Sequence, residues 1–134
     1  MLEYRIEARR IDAHGSVAAR GNAEVALDTS LAGQPDVFNP VELLLASLSA
    51  CMLKGVERAA PMLKFQFRSA SVSLHAVRQD SPPRLTSIGY ELTVDTDEPD
   101  RRLDLLHTNI IKYGTISTTL GAAVPIEGTI RRAG

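Results

Sequence analysis

The chain has one cysteine, Cys51, and two readings of it compete. As a structural residue it is a small hydrophobe with an inert thiol. As a functional residue it is a thiolate nucleophile, which needs a nearby cation to lower its proton affinity. Cys51 lies about three turns into a helical stretch, beyond the reach of the N-terminal helix dipole. An arginine or lysine from elsewhere would have to activate it. Arg10 and Arg20 are candidates, because they sit in unusual places on the first hairpin. Glu42 is the nearby acid, but it stands three residues after Asn39, where a glutamate closes a capping box. His14, His75 and His107 fall in a turn, on a polar strand face and in a helix. None is spaced with another His, Cys or acid for a metal site. No metal ligand set and no cofactor-binding loop is expected. The hydroxyls of Thr115–Thr119 read as a helix start with local capping.

The element that positions Cys51 is the stretch Asn39–Ala60, NPVELLLASLSACMLKGVERAA. Asn39 can cap it, and Pro40 suits the first helical position. Leu43, Leu44, Leu45, Ala46, Leu48, Ala50, Cys51 and Met52 are apolar nearly all round, the mark of a buried helix. Beyond Met52 the outer face carries Lys54, Glu57 and Arg58. Pro61 predicts the exit.

Before the helix, residues 2–8 alternate, with Leu2, Tyr4, Ile6 and Ala8 on one face, and predict a half-buried strand. The alternation breaks at Arg9-Arg10-Ile11, which predicts a bulge or an inward arginine. A second strand is expected over about Ser16–Asp28, with a kink at Gly21-Asn22. A loop follows over Thr29–Phe38. After the helix, Arg68–Arg78 and Ser87–Asp95 alternate cleanly and predict an antiparallel hairpin with one covered face. Asp97-Glu98-Pro99, followed by Leu103, Leu106 and Ile110, predicts a second helix. Gly114 is expected to end it in the left-handed conformation. A helical turn over Thr115–Leu120 and a strand over Val124–Arg132 complete an α+β order, β-β-α-β-β-α-β, with antiparallel sheets packed on helices.

At 134 residues, residues 1–134 are expected to form one domain. One cysteine forms no internal disulfide, so nothing points to an oxidising compartment. The N-terminal residues carry no secretory h-region, and the longest apolar run is too short to cross a bilayer. A formal net charge of −1, with no arginine stripe, gives no sign of nucleic acid. A cytoplasmic protein, bound to neither membrane nor nucleic acid, is the expectation.

Two stretches resemble a known family. Asn39-Pro-Val-Glu-Leu-Leu-Leu-Ala-Ser-Leu-Ser-Ala-Cys51 is similar to the central helix of the OsmC/Ohr family of osmotically inducible and organic hydroperoxide resistance proteins. Lys112–Leu120, followed by Val124-Pro-Ile-Glu-Gly128, resembles its C-terminal motif. The resemblance implies an intertwined homodimer, with sheets wrapped around central, buried cysteine helices. It also implies a peroxidatic Cys51 that attacks an organic hydroperoxide and becomes a sulfenic acid. Arg20 or Arg10, together with a glutamate at the helix head, would prepare the thiol. Two positions depart from the peroxidase pattern. Gly114 stands where the resolving cysteine is expected, so an external thiol would have to act as reductant. Val41 stands where the glutamate is expected, and Glu42 is one residue on, about 100° round the helix. Two readings without turnover stay open beside the thiol peroxidase. One is a binding protein for a small apolar ligand; the other is a redox sensor.

Overall fold

The computed structural model describes residues 1–134 as two compact units, Met1–Leu44 and Leu45–Gly134. The order is β1 (Glu7–Asp12), β2 (Gly15–Arg20), β3 (Ala23–Leu27), α1 (Pro40–Leu63), β4 (Ser69–Asp80), β5 (Pro83–Asp95), α2 (Asp100–Tyr113), α3 (Thr115–Gly121) and β6 (Ile126–Arg132). It is a mixed α+β chain with two three-stranded sheets.

The first unit is an antiparallel meander, β1-β2-β3. The expected strand over Ser16–Asp28 is two strands. Gly21, at φ 57°, takes the first central position of a two-residue turn between Arg20 and Ala23, a position that requires glycine. The expected bulge is present as a register shift between Arg10 and Asp12. The expected strand at residues 2–8 begins only at Glu7. Glu7 pairs with Ala19, and β2 ends one residue later, so the chain offers no strand for residues 2–6 to pair with. Leu2, Tyr4 and Ile6 are exposed. In the loop after β3, the buried Asp28 carboxylate accepts from the Ser30 hydroxyl (2.7 Å), the Ser30 amide (3.0 Å) and the Gln34 amide (2.8 Å). These bonds, with the Ser30 hydroxyl first, hold the carboxyl below its ordinary pKa. The unit ends in the first turn of α1.

In the second unit, β4 and β5 form the expected hairpin, longer than the alternation suggested. β6 runs parallel to β5, with Ile88 opposite Ile126 and Leu92 opposite Ile130, so this sheet is mixed rather than wholly antiparallel. Its core joins Leu48, Met52, Val56 and Ala59 of α1 to Ile88, Leu92 and Val94 of β5 and Leu103, Leu106 and Ile110 of α2. The α1 members recur every three or four residues and form one stripe. Burial is therefore one-sided: Leu45, Ala46 and Cys51 are half-buried and Ala50 is exposed.

Pro61 does not end α1; it sits inside the last turn. The end comes at Lys64, whose φ of 53° is left-handed. The Lys64 amide donates to the Pro61 carbonyl (3.3 Å) and the Phe65 amide to the Ala60 carbonyl (2.8 Å), the two bonds of a Schellman cap. Arg102 of α2 donates to the carbonyls of Leu63 (2.6 Å) and Lys64 (3.1 Å). The terminal carbonyls thus find donors although a proline interrupts the turn.

Candidate active site

Asn39 and Glu42 set the start of α1. The Asn39 side chain accepts from the Glu42 amide (2.9 Å), and the Glu42 carboxylate accepts from the Asn39 amide (3.0 Å). This is the reciprocal capping box, and it engages one oxygen of Glu42. Three turns on, α1 carries Cys51, half-buried and outside any disulfide.

What faces Cys51 is decided by two glycines. A Cβ on Gly55 would lie 3.1 Å and 3.3 Å from side-chain carbons of Ile110, so the bare backbone of Gly55 lets α2 approach closely. Gly55 is one turn beyond Cys51, and Gly114 is one turn beyond Ile110. A Cβ built on Gly114 would lie 3.6 Å from the Cys51 sulfur. The two contacts pair 51 with 114 and 55 with 110, so α1 and α2 run antiparallel here. Gly114 is not left-handed as expected; its φ of −79° and ψ of 115° are extended. What the position requires is room. A Cβ there would meet the Ser117 hydroxyl oxygen at 2.5 Å and the Ile110 carbonyl at 3.0 Å. Ser117, buried at the start of α3, donates to the Gly114 carbonyl (3.1 Å), and Thr119 donates to Thr115 (2.8 Å). The hydroxyl run thus serves local bonding, as its sequence suggested.

Arg10, at the bulge, and Arg20, before the Gly21 turn, are exposed on the sheet of the first unit, while Cys51 belongs to the second. His14 and His75 are exposed. His107 shares a 2.6 Å hydrogen bond with the Tyr90 hydroxyl, and burial lowers its pKa. No group of His, Cys, Asp and Glu is gathered as a metal site, and no helix is long and apolar enough to cross a membrane.

Sequence reasoning missed Arg58. It lies seven residues after Cys51, on the same face of α1. Its guanidinium carbon is 5.9 Å from the centre of the Tyr113 ring, and the Lys112 ammonium is 5.3 Å from that centre. Tyr113 immediately precedes Gly114. The i+7 spacing from Cys51 was the available signal.

Residues 33–128 match the family described as OsmC-like protein. No curated protein matches the chain. Among solved structures, an OsmC-like protein from Mycoplasma pneumoniae superposes with a TM-score of 0.91 at 17% identity, covering 99% of each chain. An organic hydroperoxide resistance protein from Elizabethkingia anophelis gives 0.78 at 14% identity, covering 98% of this chain and 99% of the other. The organic hydroperoxide resistance protein OhrB of Bacillus subtilis gives 0.68 at 18% identity, covering 97% and 98%. At these identities the likeness fixes the fold and leaves the chemistry to the residues.

Proposed function

The chain belongs to the OsmC-like protein family, and from that premise we propose that it reduces organic hydroperoxides through Cys51 alone, with an external thiol as reductant. The observation that carries this reading is the 3.6 Å between the Cys51 sulfur and the Cβ position of Gly114. The location that the resemblance assigns to a resolving cysteine is held against Cys51, but without a sulfur. The nucleophile of a two-cysteine cycle is retained and its resolving partner is not, so the second half of the cycle must come from outside.

In the proposed cycle the Cys51 thiolate attacks the terminal oxygen of the hydroperoxide. The O–O bond breaks, an S–O bond forms, and the alkoxide leaves as an alcohol after taking a proton. Arg20, or Arg10 in its place, stabilises the thiolate. Glu42 has a smaller part, since its carboxylate is engaged at the helix cap. The working unit is an intertwined homodimer in the cytoplasm. The exposed Leu2, Tyr4, Ile6 and Leu31 support the dimer, since they ask for a cover the single chain does not supply.

The test is hydroperoxide consumption by wild type and Cys51→Ser in the presence of a thiol. Loss of essentially all catalysed consumption is expected. Equal consumption would sink the enzymatic reading. Gly114 also favours a second reading, in which the dimer groove near Cys51 holds a small apolar ligand and the thiol is only wall. That reading predicts no sulfenic acid at Cys51 after a stoichiometric hydroperoxide, with a trapping reagent present.

A further inference from the structure

We infer that the thiol recycling Cys51 carries a carboxylate, bound by Arg58 and Lys112 where they flank Tyr113. The inference rests on the peroxidase reading of Cys51 and names the class of its reductant.

Arg58 shares the Cys51 face of α1. Helical side chains lean toward the helix N-terminus, so Arg58 reaches back toward Cys51. One of its terminal nitrogens lies 3.5 Å from the Cβ position of Gly55, the residue one turn after Cys51. A bare Gly55 leaves that path along the helix open. From α2, Lys112 approaches the same ring of Tyr113, next to the Gly114 that faces the sulfur.

These two cations differ from most arginines of the second unit. Arg68, Arg78, Arg102, Arg131 and Arg132 each hold a carboxylate within ion-pair distance. Arg58 and Lys112 hold none. Lys54, one turn before Arg58, is likewise without an ion pair, and the acid of that stretch, Glu57, is about 100° round the helix from Arg58. Each lies against the Tyr113 ring, Arg58 at 5.9 Å and Lys112 at 5.3 Å from its centre, and a guanidinium or ammonium without a carboxylate partner is free to pair with an anion. A thiol with a carboxylate a few bonds from its sulfur could pair there while its sulfur addressed Cys51.

The cycle then closes in balance. The reductant's sulfur attacks the sulfenic sulfur of Cys51. The S–O bond breaks, an S–S bond forms, and the hydroxyl leaves with the thiol proton as water. A second molecule of the same thiol attacks the mixed disulfide, forms the small disulfide and returns the Cys51 thiolate. Two thiols are oxidised and one sulfenic acid is reduced.

The experiment uses the whole chain, oxidised with one equivalent of cumene hydroperoxide. It is then divided among 3-mercaptopropionate, neutral 2-mercaptoethanol and cationic cysteamine. Intact mass follows loss of the sulfenic acid and appearance of the mixed disulfide. Intrinsic thiol reactivity cancels when each variant's ratio of anionic to neutral rate is compared with that of wild type. The ratio should fall about tenfold in Arg58→Ala, at the lower end of electrostatic rate effects. It should fall again in Arg58→Ala with Lys112→Ala, and Arg58→Glu should turn the preference toward cysteamine. Both side chains are exposed, so these variants should fold. An unchanged ratio, with the sulfenic acid formed normally, would overturn this inference and leave the peroxidase reading standing. Failure to form any sulfenic acid would overturn both.

Discussion

In the second unit, α1, β5 and α2 close over Leu48, Met52, Ile88, Leu92 and Leu106, all nearly inaccessible. In the first unit, Val17 is the one apolar side chain that is comparably buried, while Val25 is half exposed. Both regions carry alternating apolar residues of the same kind. Ala70, Val72, Leu74 and Ala76 are covered, whereas Leu2, Tyr4 and Ile6 are bare. Alternation says which face of a strand needs cover; it does not say what covers it. The contrast predicts that the two units differ in stability and, through Asp28 and His107, in their response to acid.

The largest expected effect is at the core. Leu92→Ala should cost about 2–5 kcal/mol, the usual range for truncating a sealed leucine. Val25→Ala should cost under about 1 kcal/mol in the monomer, as a surface change does. Urea unfolding of both variants at several protein concentrations makes the comparison. Equal costs that do not vary with concentration would break it. A Val25 cost that grows with concentration would sharpen it, because a second copy would then be covering the first unit.

A smaller effect is expected at Gly114. Its backbone is extended, a conformation that alanine adopts freely. Any cost of Gly114→Ala is therefore steric, about 1–3 kcal/mol for overpacking against Ser117 and Ile110. Adding Ser117→Ala removes the nearer obstacle and should restore roughly 1 kcal/mol, a non-additivity readable in a double-mutant cycle. If the double variant is no more stable than Gly114→Ala, the Ser117 hydroxyl is not what excludes a side chain there.

Much of this was legible in the residues. The capping box at Asn39 and Glu42, the hairpin over β4 and β5, the bulge near Arg10 and the short helix at Thr115 follow from local rules, and local contacts enforce them. What was misread depended on partners distant in sequence. Residues 2–6 have the pattern of a strand but no neighbour, because β2 turns at Gly21. Pro61 has the pattern of an exit, yet Arg102, thirty-eight or more residues away, supplies donors to the carbonyls at the end of α1. Gly114 has the position of a conformational glycine, but its reason is the room that Ser117 and Ile110 leave. Cys51 is legible as a candidate; the approach of Arg58 to Tyr113 is not, since it arises only when α2 lies along α1.

The smallest expected effect separates the units by pH. Burial lowers the His107 pKa, with Asp104 opposing, so the folded chain takes up this proton later than the unfolded one. As pH falls below the ordinary histidine value of about 6.5, the unfolded state is protonated first and stability declines. The decline flattens once pH passes below the folded value. The ring is half exposed, so solvent screening keeps this under about 1 kcal/mol. Asp28, in the first unit, acts in a lower window. Its carboxyl is held below the ordinary range by its hydrogen bonds. Its contribution is complete above the unfolded carboxylate value of about 3.9, and it is lost as pH falls through the folded one. Urea midpoints between pH 3 and 8 should therefore show two slopes. His107→Gln should flatten the slope just below pH 6.5, and Asp28→Asn that part of the acid one which Asp97, held low by Arg68, does not supply, each leaving the other window in place. If one substitution flattened both, the two windows would belong to one shared transition, and the division of the chain into differently buried units would have no counterpart in its titration.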